Sequence, residues 1–327
     1  MVVKTTVSVA LAAIALFAPL ASSHIIMSLP QPYNFKTDPF VQKDPLDGDS
    51  FKFPCQGRGH TVDSDITTVV AGGAPMPVTF TGTAAHGGGS CQFSVSYDDP
   101  QAAGGWNASS KFKTIYTLIG GCPASSAGNL KDSGTGALDN ADGPHCGNDS
   151  GKECIREFLI PFPKFLKNGP AVFSWTWHNR VGNHEIYQNC APIIITGGTE
   201  DESEIEALPE IFLGNLPAVQ TDVPGYKPCH LGQGQTVNYP NPGKYGRVLE
   251  PPTDPEAIPS DYCSDVPPAS VIPKFVGDDS AAGAFPTMTP VSNMTNPTPI
   301  GSVFLTLPTD GGIPAGDYGP HPTTKGT

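Results

Sequence analysis

His24 is the residue whose position could do the most chemistry. The stretch before it has the pattern of a secretory signal. Lys4 gives the positive start, and Val7 to Leu20 is an apolar run too short to span a bilayer. Ala21-Ser22-Ser23 places small residues where a signal peptidase needs them. Cleavage after Ser23 makes His24 the new N-terminus. Its α-amine and imidazole can then grip one metal ion together. The amine titrates at about 7.7–8.0, so a metal can displace its proton near neutral pH. One further imidazole completes a near-planar three-nitrogen site, a geometry that suits Cu(II).

Two further segments carry candidates. His86 sits in Ala84-Ala-His-Gly-Gly-Gly-Ser-Cys91, a glycine loop opening into a strand. Glu185 and Tyr187 sit in Trp177-His-Asn-Arg-Val-Gly-Asn-His-Glu-Ile-Tyr-Gln-Asn-Cys-Ala-Pro192. In a strand they point to the same side, because side chains alternate, so a carboxylate and a phenol can share one metal face. Taken singly, each has an ordinary reading. His86 is then an exposed loop histidine, Glu185 a solvated or Arg180-paired carboxylate, and Tyr187 a half-buried strand tyrosine. His184 is expected to face away from Glu185. His60, His145, His230 and His321 lie in polar loops or the tail and read as exposed.

Together these segments resemble the auxiliary activity family 11 lytic polysaccharide monooxygenases. That family's pattern combines a mature N-terminal His, an H-G-G-G-S-C loop, a G-G-C-P turn and a long W-x-N-R-x-G-N-x-E-x-Y-x-N-C-A-P segment. Here the turn is Gly120-Gly121-Cys122-Pro123, and the resemblance covers about residues 24–198. It implies that His24 and His86 form a copper histidine brace with Tyr187 in the axial position. Glu185 corresponds to the acidic residue beside the metal. It also implies one copper ion, an external electron donor, O2 or H2O2 as co-substrate, and oxidative cleavage of a β-1,4 polysaccharide, chitin first. Choice between chitin and cellulose, and between C1 and C4 attack, stays open.

The competing functions differ in class. A glycoside hydrolase needs two carboxylates at a set separation, and the acids before residue 198 are scattered in polar loops. No G-x-S-x-G nucleophile motif is present. A secreted copper-binding protein with the same brace and no oxidative turnover remains the alternative. Glu185 and the Asn-Arg…Tyr pattern favour the enzyme, since copper capture needs only the nitrogens.

The elements that must position these groups read as β-structure. Met76–Phe80, Cys91–Tyr97, Lys111–Leu118, Ala171–Trp177 and Ala191–Thr196 have strand patterning between glycine- and proline-rich turns. No long helical periodicity competes. The expected fold is all-β, an antiparallel immunoglobulin/fibronectin-III-like β-sandwich with long loops and a low-complexity C-terminal tail. Phe173, Trp175 and Trp177 share one strand face and read as core. Lys131–Glu157 reads as a long loop.

Eight cysteines behind a signal indicate four disulfides in an oxidising compartment, and no C-x-x-C spacing suggests zinc. Cys146 and Cys154 are close in one loop. Cys91 and Cys122 flank the strand at 111–118, and Cys229 and Cys263 are alone in the tail. Cys55 and Cys190 are left to tie the N-terminal segment to the last strand. Asn107, Asn148 and Asn293 head glycosylation sequons.

Charge is uneven. Residues 24–198 hold 15 acidic and 12 basic side chains, whereas residues 199–327 hold 16 and 5, with 21 of the 36 prolines. A nearly neutral core suits an uncharged substrate and excludes a nucleic-acid partner. No later segment reads as a membrane anchor, and the chain is expected to be a secreted monomer. The expected organisation is signal 1–23, catalytic domain 24–198, a proline-rich acidic appendage 199–279 with one disulfide, and a disordered tail 280–327. Tyr226, Tyr239 and Tyr245 are candidates for stacking on sugar rings, though spacer or turn residues are the better reading.

Overall fold

The computed structural model describes residues 24–252 and 273–276, apart from 64, 102–104, 135–140, 183–184, 221, 227 and 233. The signal segment 1–23, the tail 280–327 and His184 therefore lie outside the described residues.

Two sheets carry the fold. The smaller has the order β1-β3-β6, from Ile26–Leu29, Met76–Thr81 and Phe158–Ile160. The larger has the order β2-β8-β7-β4-β5-β9. Its strands are Thr67–Val70, Ile186–Thr196, Gly169–Asn179, Gly89–Ser96, Lys113–Ile119 and Gly246–Val248. All five expected strands are present, within a few residues at their ends. The expectation of antiparallel pairing holds for the centre of the large sheet but not for its edges. Both β2 on β8 and β9 on β5 run parallel. Each edge strand arrives from a remote loop, so no tight hairpin dictates its direction.

Alternation in the long central strands builds two different faces. Phe93, Val95, Phe173, Trp175, Trp177 and Tyr187 turn towards Ile25, Val78, Phe80 and Phe158, forming the main core. The opposite face presents Ser90, Gln92, Ser94, Ser174, Thr176 and His178, all buried despite being polar. They are buried because irregular chain covers them. Residues 33–56 and 211–216 supply Tyr33, Leu46, Phe53, Ile211 and Leu216 around Phe112, Val172 and Ile186.

The expected division at residue 198 is therefore not a break in packing. Ile205 and Leu208, in and after the short helix α1 (Glu202–Glu206), join the main core. Leu231, Val237, Tyr239 and Phe275 pack on Ile119. Tyr239 is fully buried, with its hydroxyl 3.1 Å from His178 Nδ1. Tyr226 donates to the Leu216 carbonyl, and Tyr245 packs half-buried against the core. Burial rules out Tyr239 as a sugar platform and, with the half-burial of Tyr226 and Tyr245, favours the structural reading of the three.

Disulfides Cys55–Cys190, Cys91–Cys122 and Cys146–Cys154 are formed as expected. In the fourth expected pair, Cys229 with Cys263, the second member lies outside the described residues. Beside Cys146, His145 Nε2 lies 2.9 Å from Asp142 Oδ2. The contact raises the His145 pKa against the effect of burial. Burial pushes Asp142 up, yet His145 and the Gly82 N–H hold it below the usual carboxylate range. The pair's stabilisation is full between the unfolded values of about 3.9 and 6.5. It fades as pH falls through the folded Asp142 value or rises through that of His145. At about pH 5, between those unfolded values, His145→Gln is expected to lower the melting temperature. The shift is about 2–4 °C, for an interaction of about 1 kcal/mol. The difference from wild type should shrink above pH 8; an equal difference at both pH values would contradict the ion pair.

Candidate metal centre

His24 lies just before β1, where its backbone bridges to Ala84. This approach depends on Gly82. A Cβ there would sit 2.2 Å from the His24 carbonyl oxygen, and its φ of +124° favours glycine. Asp142 Oδ1 accepts from the Gly82 N–H at 2.8 Å, so the strap beneath His24 is fixed from a second side.

The glycine loop aims His86. Its own φ is +47°, in the left-handed region that non-glycine residues rarely occupy. Its N–H donates to Asn129 Oδ1 at 3.0 Å, and its carbonyl accepts from Val181 N–H at 2.8 Å. The structure thus holds a strained backbone in place on both sides, a pattern associated with functional sites.

β8 supplies Tyr187, directly opposite Trp177 of β7. The indole stacks on the Tyr187 ring at 4.7 Å and on the His86 ring at 5.8 Å. Trp177 is thereby a wall of the site as well as core. Ring centroids of His24 and His86 are 5.7 Å apart, and His24 to Tyr187 is 5.5 Å. The Tyr187 hydroxyl is 3.4 Å from His86 Nε2 and donates to Glu185 Oε2 at 2.6 Å. Glu185 Oε2 lies 3.8 Å from His86 Nε2. The four residues singled out in the sequence therefore converge.

Asn179, at the end of β7, was not among those candidates. Its amide donates to Glu185 Oε2 at 2.8 Å while its oxygen accepts from the Glu185 N–H at 3.1 Å. It lies inside the long motif, but nothing in its spacing distinguishes it from a turn residue. His178, its neighbour, is remote in function. It is fully buried, its ring nitrogens meet Tyr239 and Gly214, and burial drives its pKa down to about 3.

Burial lowers the pKa of both His24 and His86, only partly opposed by Glu185. Neutral imidazoles are the form that donates lone pairs to a metal. Burial, reinforced by the Glu185 charge, raises the pKa of Tyr187. It stays a phenol whose proton is committed to Glu185, leaving oxygen lone pairs on the side of His86. Among the described residues, no three His, Cys, Asp or Glu side chains form a metal-holding group. The donor set thus fits a mononuclear copper centre only if the third nitrogen is the α-amine of His24.

Fold and site together define an all-β protein with two imidazoles, a phenol and a carboxylate gathered at one point. No protein-family model matches the chain. The AA11 family lytic polysaccharide monooxygenase A of Aspergillus fumigatus (strain CBS 144.89 / FGSC A1163 / CEA10) is 34% identical over 210 residues. That alignment covers 62% of this chain and 78% of the relative. An AA11 family lytic polysaccharide monooxygenase of Aspergillus oryzae is 32% identical over 276 residues, 84% of this chain. The chain spans only 58% of that relative's length. A cellulose-active polysaccharide monooxygenase from M. thermophila has 17% identity and a TM-score of 0.29. It covers 47% of this chain and 64% of its own, and adds nothing to the fold described above. The chain belongs to the AA11 family of lytic polysaccharide monooxygenases. Among the described residues no helix is long and apolar enough to cross a membrane.

Proposed function

We propose that this protein is a secreted, copper-dependent monooxygenase that cleaves β-1,4 glycosidic bonds oxidatively, with chitin as its substrate. The observation that carries the reading is the convergence of the His24 and His86 imidazoles with the Tyr187 phenol, at the residue signal cleavage would expose. The His24 amine and imidazole, with His86, would hold the ion, with the Tyr187 phenol beside it. The chemistry that copper supplies when bound is electron exchange with an external reductant and activation of O2 or H2O2, leading to hydroxylation of a sugar carbon beside the glycosidic bond.

The protein's own groups have separable tasks. Glu185 holds a carboxylate oxygen at the site, kept in place by Asn179 and Tyr187, where it can accept or return a proton. Trp177 closes the site from below and fixes the planes of His86 and Tyr187. The near-neutral charge of residues 24–198 suits an uncharged polysaccharide surface.

Mass spectrometry of products released from β-chitin by copper-loaded protein, with a reductant, tests the reading. Oxidised oligosaccharides are expected. Tight copper binding without any oxidised product would favour the non-catalytic copper protein. Tyr187→Phe is expected to keep copper, change its EPR spectrum and lower turnover by about 10-fold, as for loss of a supporting partner. Glu185→Gln is expected to cost about 100-fold, the lower range for removing a positioned proton-transfer group.

A further inference from the structure

Of the six large apolar side chains that are exposed among the described residues, one adjoins the metal centre. Val181 is 37% exposed, and its N–H donates to the His86 carbonyl at 2.8 Å. A single exposed valine is ordinary on a protein surface. This one is set apart by how firmly it is held and by the group beside it.

Both chain neighbours of Val181 are fixed. The Arg180 N–H donates to the Gly88 carbonyl at 3.0 Å, and the Arg180 carbonyl accepts from the Gly234 N–H at 2.7 Å. Gly182 follows with φ +133°, and a Cβ there would lie 3.4 Å from His86 Nδ1 and 3.6 Å from Glu185 Oε2. The turn thus reaches the metal-facing groups with bare backbone, and Val181 is the side chain next to that contact.

The Arg180 guanidinium comes to the same spot. A Cβ on Gly87, the residue after His86, would meet Val181 Cγ2 at 2.8 Å and Arg180 Nε and Nη2 at 3.2 Å each. An isopropyl group and a guanidinium therefore flank one glycine beside a metal-facing histidine. Arg180 Nη2 donates to the Ser126 carbonyl at 2.8 Å, which holds the fork in place. Its remaining N–H groups have no partner among the described residues, and the side chain is half-exposed.

This pair has a chemical complement. A guanidinium donates to a carbonyl oxygen, and an isopropyl group covers a methyl. An acetamido group carries both within one small unit, and chitin bears one on every sugar. Cellulose has a hydroxyl there, which gives the guanidinium an acceptor and the valine nothing apolar. A pocket that merely loses a methyl contact discriminates by a modest factor.

We propose that Val181 and Arg180 form an acetamido subsite beside the metal centre. Arg180 takes the carbonyl and Val181 the methyl, so Val181 sets the preference for chitin over cellulose. The proposal rests on the reading of this chain as a chitin-cleaving enzyme, and the test separates the two. Copper-loaded protein beginning at His24 is partitioned, without reductant, onto β-chitin and onto cellulose. Val181→Thr keeps the shape and trades one methyl for a hydroxyl. Arg180→Gln removes the charged fork. Val70→Thr makes the same exchange on a side chain that is 50% exposed and pairs with Thr196 at the far end of β8, so it controls for surface apolarity.

Val181→Thr is expected to bind chitin about 4-fold more weakly, the worth of about one buried methyl, and to bind cellulose as the wild type does. Arg180→Gln should weaken binding to both polymers by about 10-fold, the lower range for a hydrogen bond to a charged group. Val70→Thr should match the wild type on both. The Cu(II) Kd should be the same in the wild type and all three variants, which separates a substrate contact from damage to the metal centre. Unchanged chitin binding by Val181→Thr or Arg180→Gln, or equal losses on the two polymers for Val181→Thr, would overturn the proposal. So would a Val181→Thr loss accompanied by weaker copper binding. Oxidised products from β-chitin alongside any of these results would leave the substrate reading standing. Products from cellulose alone would overturn the substrate reading and the subsite with it. If Arg180→Gln fails to fold, Val181→Thr decides.

Discussion

Adding a single residue before His24 is expected to weaken Cu(II) binding by more than about 100-fold, because losing a ligand must exceed the 10–100-fold cost of losing a ligand's support. The reasoning is structural. Two imidazoles with centroids 5.7 Å apart supply two nitrogens, and no third His, Cys, Asp or Glu completes a group among the described residues. Tyr187 adds only a neutral phenol whose proton is given to Glu185. An amide nitrogen in place of the His24 amine has no lone pair to offer, so the chelate opens. The extended protein should melt at the same temperature without metal, since His24 keeps its bridge to Ala84. Copper should raise the melting temperature of the protein that begins at His24 and leave the extended form almost unchanged. His86→Ala should give the same loss from the other side of the site, with oxidative activity abolished. Equal Kd values for the free and extended N-termini would sink the amine as a ligand.

Part of this site was legible because Trp177 and Tyr187 sit on the most regular part of the chain. Period-two alternation through Phe173, Trp175 and Trp177 defines β7, and the same rule puts Glu185 and Tyr187 on one side; the phenol and carboxylate are in fact bonded. His86 was marked by its glycines, which the backbone needs there. A Cβ at Gly89 would lie 2.1 Å from the His178 carbonyl oxygen. What escaped leaves no periodic signal in the sequence. Gln42 and Gln56, on irregular chain, and Asn189, on β8, are buried polar residues that only their distant partners reveal. The edge strands Thr67–Val70 and Gly246–Val248 are too short for any period to show.

Composition misled most over residues 199–252, where proline and acid content suggested an appendage. The apolar residues there pack one at a time from irregular backbone, which leaves no periodic signal.

That packing gives the second large expectation: protein ending at Gly198 should fail to reach a cooperative folded state. The cut removes β9 from the edge of β5 and uncovers Phe112, Ile119, Val172 and Ile186, each fully or nearly fully buried now. Each such side chain is worth about 1.5–3 kcal/mol when buried, against a net stability of about 5–15 kcal/mol for a whole domain. It also strips polar partners. The Gln92 side-chain oxygen loses the Phe212 N–H, and His178 loses both Gly214 and Tyr239. Arg156, with a side chain only 4% exposed, loses the Glu250 carboxylate 3.2 Å away. Removing one partner of a buried ion pair costs about 3–5 kcal/mol, less here because Gly121 and Gly151 carbonyls still accept from the guanidinium. The losses fall on the polar face of the sheet whose other face carries Trp177 and Tyr187, so the copper site should be lost with the fold. Near-UV circular dichroism and thermal unfolding of the protein ending at Gly198, beside the full chain, decide the matter. A sharp transition within a few degrees of the full chain, with the same copper EPR spectrum, would show residues 199–252 to be a dispensable cover and restore the boundary at 198.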